Sequence, residues 1–142
     1  MLLSSRLLGC SNFVERARLD AAFAARFDRE LDLAHGRCLL RAHAGIVASA
    51  ITHFDGVRYE LHAWCVMPNH VHVLLHVLHG DDLPKIVHSW KSFTAHRIGE
   101  GEIWQREYFD RLVRSPEELS DTRAYIRANP AKAGLLDWPW VG

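Results

Sequence analysis

Residues 57–77, VRYELHAWCVMPNHVHVLLHV, decide the fold. Residues 57–67 are rich in aromatic and branched side chains and suit a strand. Pro68-Asn69 then supplies a tight turn and residues 70–77 a second strand, so the two predict an antiparallel hairpin. Alternate side chains of a strand share a face, so His70 and His72 point one way while Val71 and Val73 enter a core. Two imidazoles held in this manner can bind a divalent metal or a phosphate oxygen, although the same spacing also occurs on ordinary solvated strands. Pro68-Asn69 puts the pair at the start of its strand, where a ligand can approach an edge or end that the core leaves open. His76 shares that face but lies roughly 13 Å from His72. It is too far away to share an ion and reads as a bystander or a substrate contact.

Before the hairpin, residues 14–30 have a helical rhythm and residues 42–54 form a second helix candidate that stops at the Asp55-Gly56 turn. After it, LPKIVHSWKSFTAHRI (83–98) places Leu83, Ile86, Val87, Trp90, Phe93, Thr94 and Ile98 along one helical face. A short strand is expected around residues 108–113. Ser115-Pro116-Glu117-Glu118 then reads as a helix start, with a serine cap, proline at the first helical position and glutamate three after the cap. That helix is expected to end near Ala128, because Pro130 lacks a donor and restricts the residue before it.

The chain has 142 residues, 49% hydrophobic and 24% charged, which predicts one soluble globular domain spanning residues 1–142. Seventeen basic and seventeen acidic residues cancel, so net charge gives no support for non-specific nucleic-acid binding, although a local basic patch remains compatible with it. Cys10, Cys38 and Cys65 are odd in number and form no CxxC pair, which favours reduced, buried thiols in a cytoplasm. No signal peptide and no membrane span is read from the sequence.

The late helix carries a second polar constellation. Tyr125 and Asn129 are four apart and project from one face, while Leu119 and Ile126 mark a core-facing stripe. A tyrosine can attack phosphorus when a base or cation activates its phenol. Tyr108 is the rival nucleophile; it lies in the short strand, where an aromatic is usually a packing residue. Tyr59 is the third tyrosine. Lys85, Lys91, Arg97, Arg106, Arg111 and Arg114 are candidates for phosphate contact, and Trp64 or Trp104 can stack a base or belong to the core.

The order of HVH in a strand, WKSFTAHRI, IWQREYFDRLVRS and YIRANPAKAGL resembles the REP-associated tyrosine transposases, a branch of the single-tyrosine HUH transposases. The resemblance covers roughly residues 30–140. It implies an α+β, ferredoxin-like sandwich with an antiparallel sheet backed by helices and the tyrosine on a C-terminal helix. It further implies that His70, His72 and Asn129 hold a divalent metal, magnesium or manganese, and that Tyr125 is the nucleophile. The implied activity is cleavage and rejoining of single-stranded DNA near a palindromic hairpin through a 5′-phosphotyrosine link, by a monomer or a homodimer. The family's early strand has only MLLSSRLLGCSNF to supply it here, so the chain reads as compact or trimmed at both ends. A DNA-hairpin-binding protein without cleavage and a small metal-dependent phosphohydrolase stay open as alternatives.

Overall fold

The computed structural model describes residues 2–6, 40–106 and 108–142. In chain order the described elements are β1 (Leu2–Arg6), α1 (Leu40–Thr52), β2 (Tyr59–Val66), β3 (His70–Val77), α2 (Leu83–Ile98), β4 (Phe109–Arg111) and α3 (Pro116–Lys132). The helix expected over residues 14–30 and two of the cysteines, Cys10 and Cys38, lie outside the described residues, while Cys65 is buried.

The four strands form one antiparallel sheet in the order β2-β3-β1-β4, the strand order of a ferredoxin-like sandwich. The start of the chain does supply the early strand: β1 pairs with β3 on one side and β4 on the other. The Pro68-Asn69 turn closes the β2–β3 hairpin, with Met67 N–H donating to the His70 carbonyl over 2.8 Å. The C-terminal residues cover the outer edge of β2. Trp64 and Gly142 exchange backbone hydrogen bonds of 2.9 and 3.0 Å, Val66 N–H donates to the Trp140 carbonyl, and the Trp138 indole donates to the Val66 carbonyl. An otherwise unpaired strand edge is thereby satisfied.

The sheet separates two cores. Val71, Val73 and Leu75 of β3 pack with Leu40, Val47 and Ile51 of α1 and Ile86, Val87 and Trp90 of α2. On the opposite face Leu74 packs with Ala63, Cys65 and Met67 and with Ile126 of α3. β3 alternates strictly, but β2 does not. Leu61 pairs with Leu75 and Ala63 with Leu74, so His62 is an extra residue in a β-bulge. The bulge flips the parity: Tyr59 and Leu61 before it, and Trp64 and Val66 after it, all serve the α1/α2 core.

Local chemistry explains the helix boundaries. The Asp82 side chain caps α2 by accepting from Lys85 N–H, and Gly99 ends it in the left-handed region at φ 74°. Phe93, expected on the buried stripe of α2, is instead 50% exposed. α3 begins at Ser115, as expected, but runs through Pro130 to Lys132 rather than stopping near Ala128. The ring of Pro130 is buried, and the ladder resumes past it with Ala133 N–H donating to the Asn129 carbonyl. Termination comes later, at Gly134 (φ 75°), where Leu135 N–H reaches the Pro130 carbonyl and Gly134 N–H the Ala131 carbonyl. This pair of bonds around a left-handed glycine is a Schellman ending.

Tyr59 ties the α1/α2 core together. It is fully buried, its hydroxyl donates to the Ile51 carbonyl over 2.6 Å, and it accepts from the Trp90 indole over 3.1 Å. Tyr59→Phe keeps the ring but strands a buried carbonyl and a buried N–H, at an expected cost of about 1–3 kcal/mol. The urea midpoint of unfolding measures this; an unchanged midpoint would refute the role given to the hydroxyl.

Candidate active site

His70 and His72 are 1% and 4% exposed, unusual burial for two imidazoles on one strand face. Their side chains converge. The Nε2 atoms stand 3.1 Å apart and the rings meet edge to face, with centroids 4.8 Å apart. Asn69, read from sequence only as a turn residue, is buried beside them, its Oδ1 2.6 Å from His70 Nδ1. An amide oxygen only accepts, so His70 Nδ1 carries the proton and Nε2 presents its lone pair. At 3.1 Å the second imidazole either donates its own Nε2–H to that lone pair or shares a cation with it. Two nitrogen donors at right angles, each about 2.1 Å from one ion, stand about 3.0 Å apart. The spacing of the pair therefore fits one divalent cation.

The pair does not sit at a sheet edge. β3 is an inner strand, with Cys65 of β2 on one side of His72 and Ser4 of β1 on the other. The pair faces the side of the sheet on which α3 packs. The cap of that helix is reciprocal: Ser115 Oγ accepts from Glu118 N–H, and Glu118 Oε2 accepts from Arg114 N–H. Ile126 then buries completely against Ala63, Cys65, Met67 and Leu74, where the small side chains of Ala63 and Cys65 allow close approach.

This docking brings Tyr125 to the histidines, with the Tyr125 and His72 ring centroids 6.2 Å apart. The Tyr125 hydroxyl is buried and has no hydrogen-bond partner among the described residues. Asn129, one turn later, is 3% exposed. Among the described residues no three His, Cys, Asp or Glu side chains gather to hold a metal. Lys132 completes the surroundings, its Nζ 5.2 Å from the centre of the Tyr125 ring.

The other two tyrosines lie on the opposite face of the sheet. Tyr59 is sealed in the α1/α2 core, and Tyr108 packs against the same core beneath the ammonium of Lys91. Burial pushes both phenols above their ordinary range. Trp64 and Trp104 also pack against that core, and the Trp104 indole donates to Thr94 Oγ1 over 2.8 Å. Of the three tyrosines in the chain, Tyr125 alone stands on the histidine face.

The basic residues are dispersed. Lys91 Nζ donates to the Gln105 carbonyl over 2.8 Å, and burial lowers its pKa; the bond ties the 105–106 backbone to α2. Lys85 pairs with Asp82 next to the α2 cap and Arg111 with Glu118 next to the α3 cap. Arg97, Arg106 and Arg114 are exposed. Sequence reasoning overlooked a contact across the bulge, where Arg123 Nη2 of α3 lies 3.5 Å from His62 Nδ1. Its only sequence trace is an arginine two residues before Tyr125. His76 is exposed, unlike the two histidines before it.

Comparison with known proteins bears on the family and the fold. The sequence model of a family described as "Transposase IS200 like" matches residues 42–129. A putative REP-associated tyrosine transposase of Haemophilus influenzae is 28% identical over 102 residues, covering 58% of this chain and 57% of the relative. A REP-associated tyrosine transposase of Escherichia coli is 32% identical over 90 residues, covering 58% of this chain and 53% of the relative. The chain thus spans just over half the length of these relatives. A solved structure of a REP-associated tyrosine transposase bound to a REP hairpin shares the fold, with a TM-score of 0.60 and 23% identity over 99% of this chain and 73% of that one. Among the described residues, no helix is long and apolar enough to cross a membrane.

Burial first, and the Arg123 guanidinium second, hold the His62 imidazole below its ordinary value of 6.5. Between the depressed value and 6.5 the unfolded chain binds more protons than the folded one, so acidification favours unfolding. The contribution is complete above about pH 6.5 and is lost as the pH falls through the folded value. Urea unfolding between pH 7 and pH 5 is expected to show a shallower loss of stability in His62→Gln than in the wild type. Parallel curves for the two proteins would contradict it.

Proposed function

Because the chain belongs to the IS200-like transposase family, we propose that it cleaves and rejoins single-stranded DNA next to a hairpin, with Tyr125 as nucleophile. The observation that carries this reading is the meeting of Tyr125, the one tyrosine on the histidine face, with His72 across the α3–sheet interface. The tyrosine transposases among its relatives, and the hairpin bound to the solved structure of similar fold, support the substrate class.

The residues have distinct tasks. Tyr125 Oη forms a bond to phosphorus as the bond from phosphorus to O3′ breaks. The 5′ end of one fragment stays on the enzyme as a phosphotyrosine, and the proton lost by the phenol is balanced by the one gained at O3′. Attack by a DNA 3′-hydroxyl reverses the step and joins strands, so no outside energy source is needed. α3 holds the phenol by packing Ile126, and a pre-positioned attacking atom removes much of the entropic part of the barrier.

His70, His72 and Asn129 would hold a divalent ion, with Asn69 fixing the His70 tautomer. When bound, the ion supplies charge stabilisation to the reacting phosphate. Two imidazoles make the donor set nitrogen-rich, so manganese should be held more tightly than magnesium.

A single-stranded oligonucleotide carrying a hairpin, incubated with the protein and manganese, is expected to yield a covalent adduct on a denaturing gel. Tyr125→Phe should reduce the adduct to background while the fold persists. Absence of an adduct from the wild type, or an equal adduct from Tyr125→Phe, would overturn the reading. Asn69→Ala leaves both histidines in place but should weaken manganese binding by about 10- to 100-fold, as loss of an orienting partner does elsewhere. Isothermal titration with manganese tests this, and an unchanged affinity would remove Asn69 from the site.

A further inference from the structure

Lys132 stands beside the Tyr125 ring without an acidic partner among the described residues. It lies seven residues after Tyr125 on α3, hence on nearly the same side of the helix. The Tyr125 ring meets both His72, rooted in the sheet, at 6.2 Å between centroids and the ammonium of Lys132, 5.2 Å from its centre. Lys132 is exposed. The ion pairs among the described residues engage His43, Arg58, Lys85 and Arg111 instead. A cation over an aromatic ring gains a modest attraction, and a lysine in the last turn suits the helix dipole. Neither use requires that the residue lie against the one tyrosine on the histidine face.

We propose that Lys132 contacts a non-bridging oxygen of the phosphodiester that Tyr125 attacks, an assignment that rests on the function proposed above. An attacking oxygen in near-attack geometry is about 3–3.5 Å from phosphorus, so the non-bridging oxygens come to rest around the end of the phenol. A flexible four-carbon stem anchored one turn beyond Asn129 brings an ammonium to that region. Lys132 keeps its proton throughout. It donates a hydrogen bond to the phosphoryl oxygen while negative charge builds there, and the same bond persists to the phosphotyrosine after O3′ has left. The contact is stronger in the transition state than in the bound substrate, which is the condition for it to raise the rate.

The test uses wild type, Lys132→Gln and Lys132→Arg in single-turnover adduct formation on the hairpin-bearing single strand with manganese. Gln is expected to slow the reaction about 100-fold, in the range seen when one oxyanion donor is removed elsewhere, and Arg to restore most of the rate. Thermal midpoints should agree among the three. In the Tyr125→Phe background, where no adduct forms, Lys132→Gln should lower the slope of log affinity against log salt by about 0.7, the value of one phosphate contact on a single strand. A Gln variant with wild-type rate and slope, or an Arg variant as slow as Gln, overturns the assignment. If the wild type itself forms no adduct, the cleavage reading fails, and the salt slope alone decides whether Lys132 meets a phosphate: an altered slope supports the contact, an unaltered one removes it.

Discussion

One additional residue in β2 determines where everything else on the histidine face can sit. Without the bulge at His62, Tyr59, Leu61, Ala63, Cys65 and Met67 would share a single face, because strand side chains alternate with period two. With it, Tyr59 and Leu61 stay with the α1/α2 core while Ala63, Cys65 and Met67 turn to α3. The second set makes a shallow apolar bed, and Ile126 fills it. A helix docked by Ile126 carries Tyr125 to one flank of the contact and Arg123 to another, so one reaches His72 and the other reaches the bulge residue itself.

Burying the His70–His72 pair on an inner strand imposes a second constraint. Polar groups removed from water must find partners, and the cost of leaving one unsatisfied is comparable to a lost hydrogen bond. Asn69 meets part of that demand from the hairpin turn, and the two Nε2 atoms meet part of it with each other. The turn is therefore more than a connection between strands. Its second residue fixes the tautomer of the first histidine, so a change in the turn is felt at the site before it is felt in the sheet.

Much of this was legible in the sequence, for identifiable reasons. The β2–β3 hairpin, the 83–98 span of α2 and the Ser115 start of α3 depend on local chemistry: branched strand formers, a helical apolar stripe, a serine cap and a proline at the first helical position. That Tyr125 and Asn129 share one helix, a turn apart, was likewise legible, because the Ser115 cap sets where α3 begins. What was not legible depends on tertiary packing. A bulge leaves no mark in a period-two reading of VRYELHAWCVM, because aromatic and branched residues occur at both parities there. The irregular start of the chain likewise conceals β1, whose place in the sheet follows from pairing with β3 and β4. The tie of Lys91 to the Gln105 and Arg106 carbonyls was not legible either, because it joins α2 to a segment fourteen and fifteen residues on.

Pro130 shows how a local rule is overridden and what the exception achieves. Its missing N–H withdraws a hydrogen bond from the Ile126 carbonyl, and a proline inside a helix typically costs about 3 kcal/mol. The helix continues nonetheless, because the proline ring is buried and the ladder resumes at once through Ala133 and Asn129. Had α3 stopped before the proline, Asn129 would have been a terminal residue free to fray. Continuing to Lys132 and closing on Gly134 encloses Asn129 within the helix and places Lys132 on the tyrosine side, above the Tyr125 ring. The same extension thus orders the buried amide of Asn129 and the ammonium beside the Tyr125 ring. That both depend on the turn containing Pro130 makes its backbone part of the site's architecture, although the proline carries no group that could react.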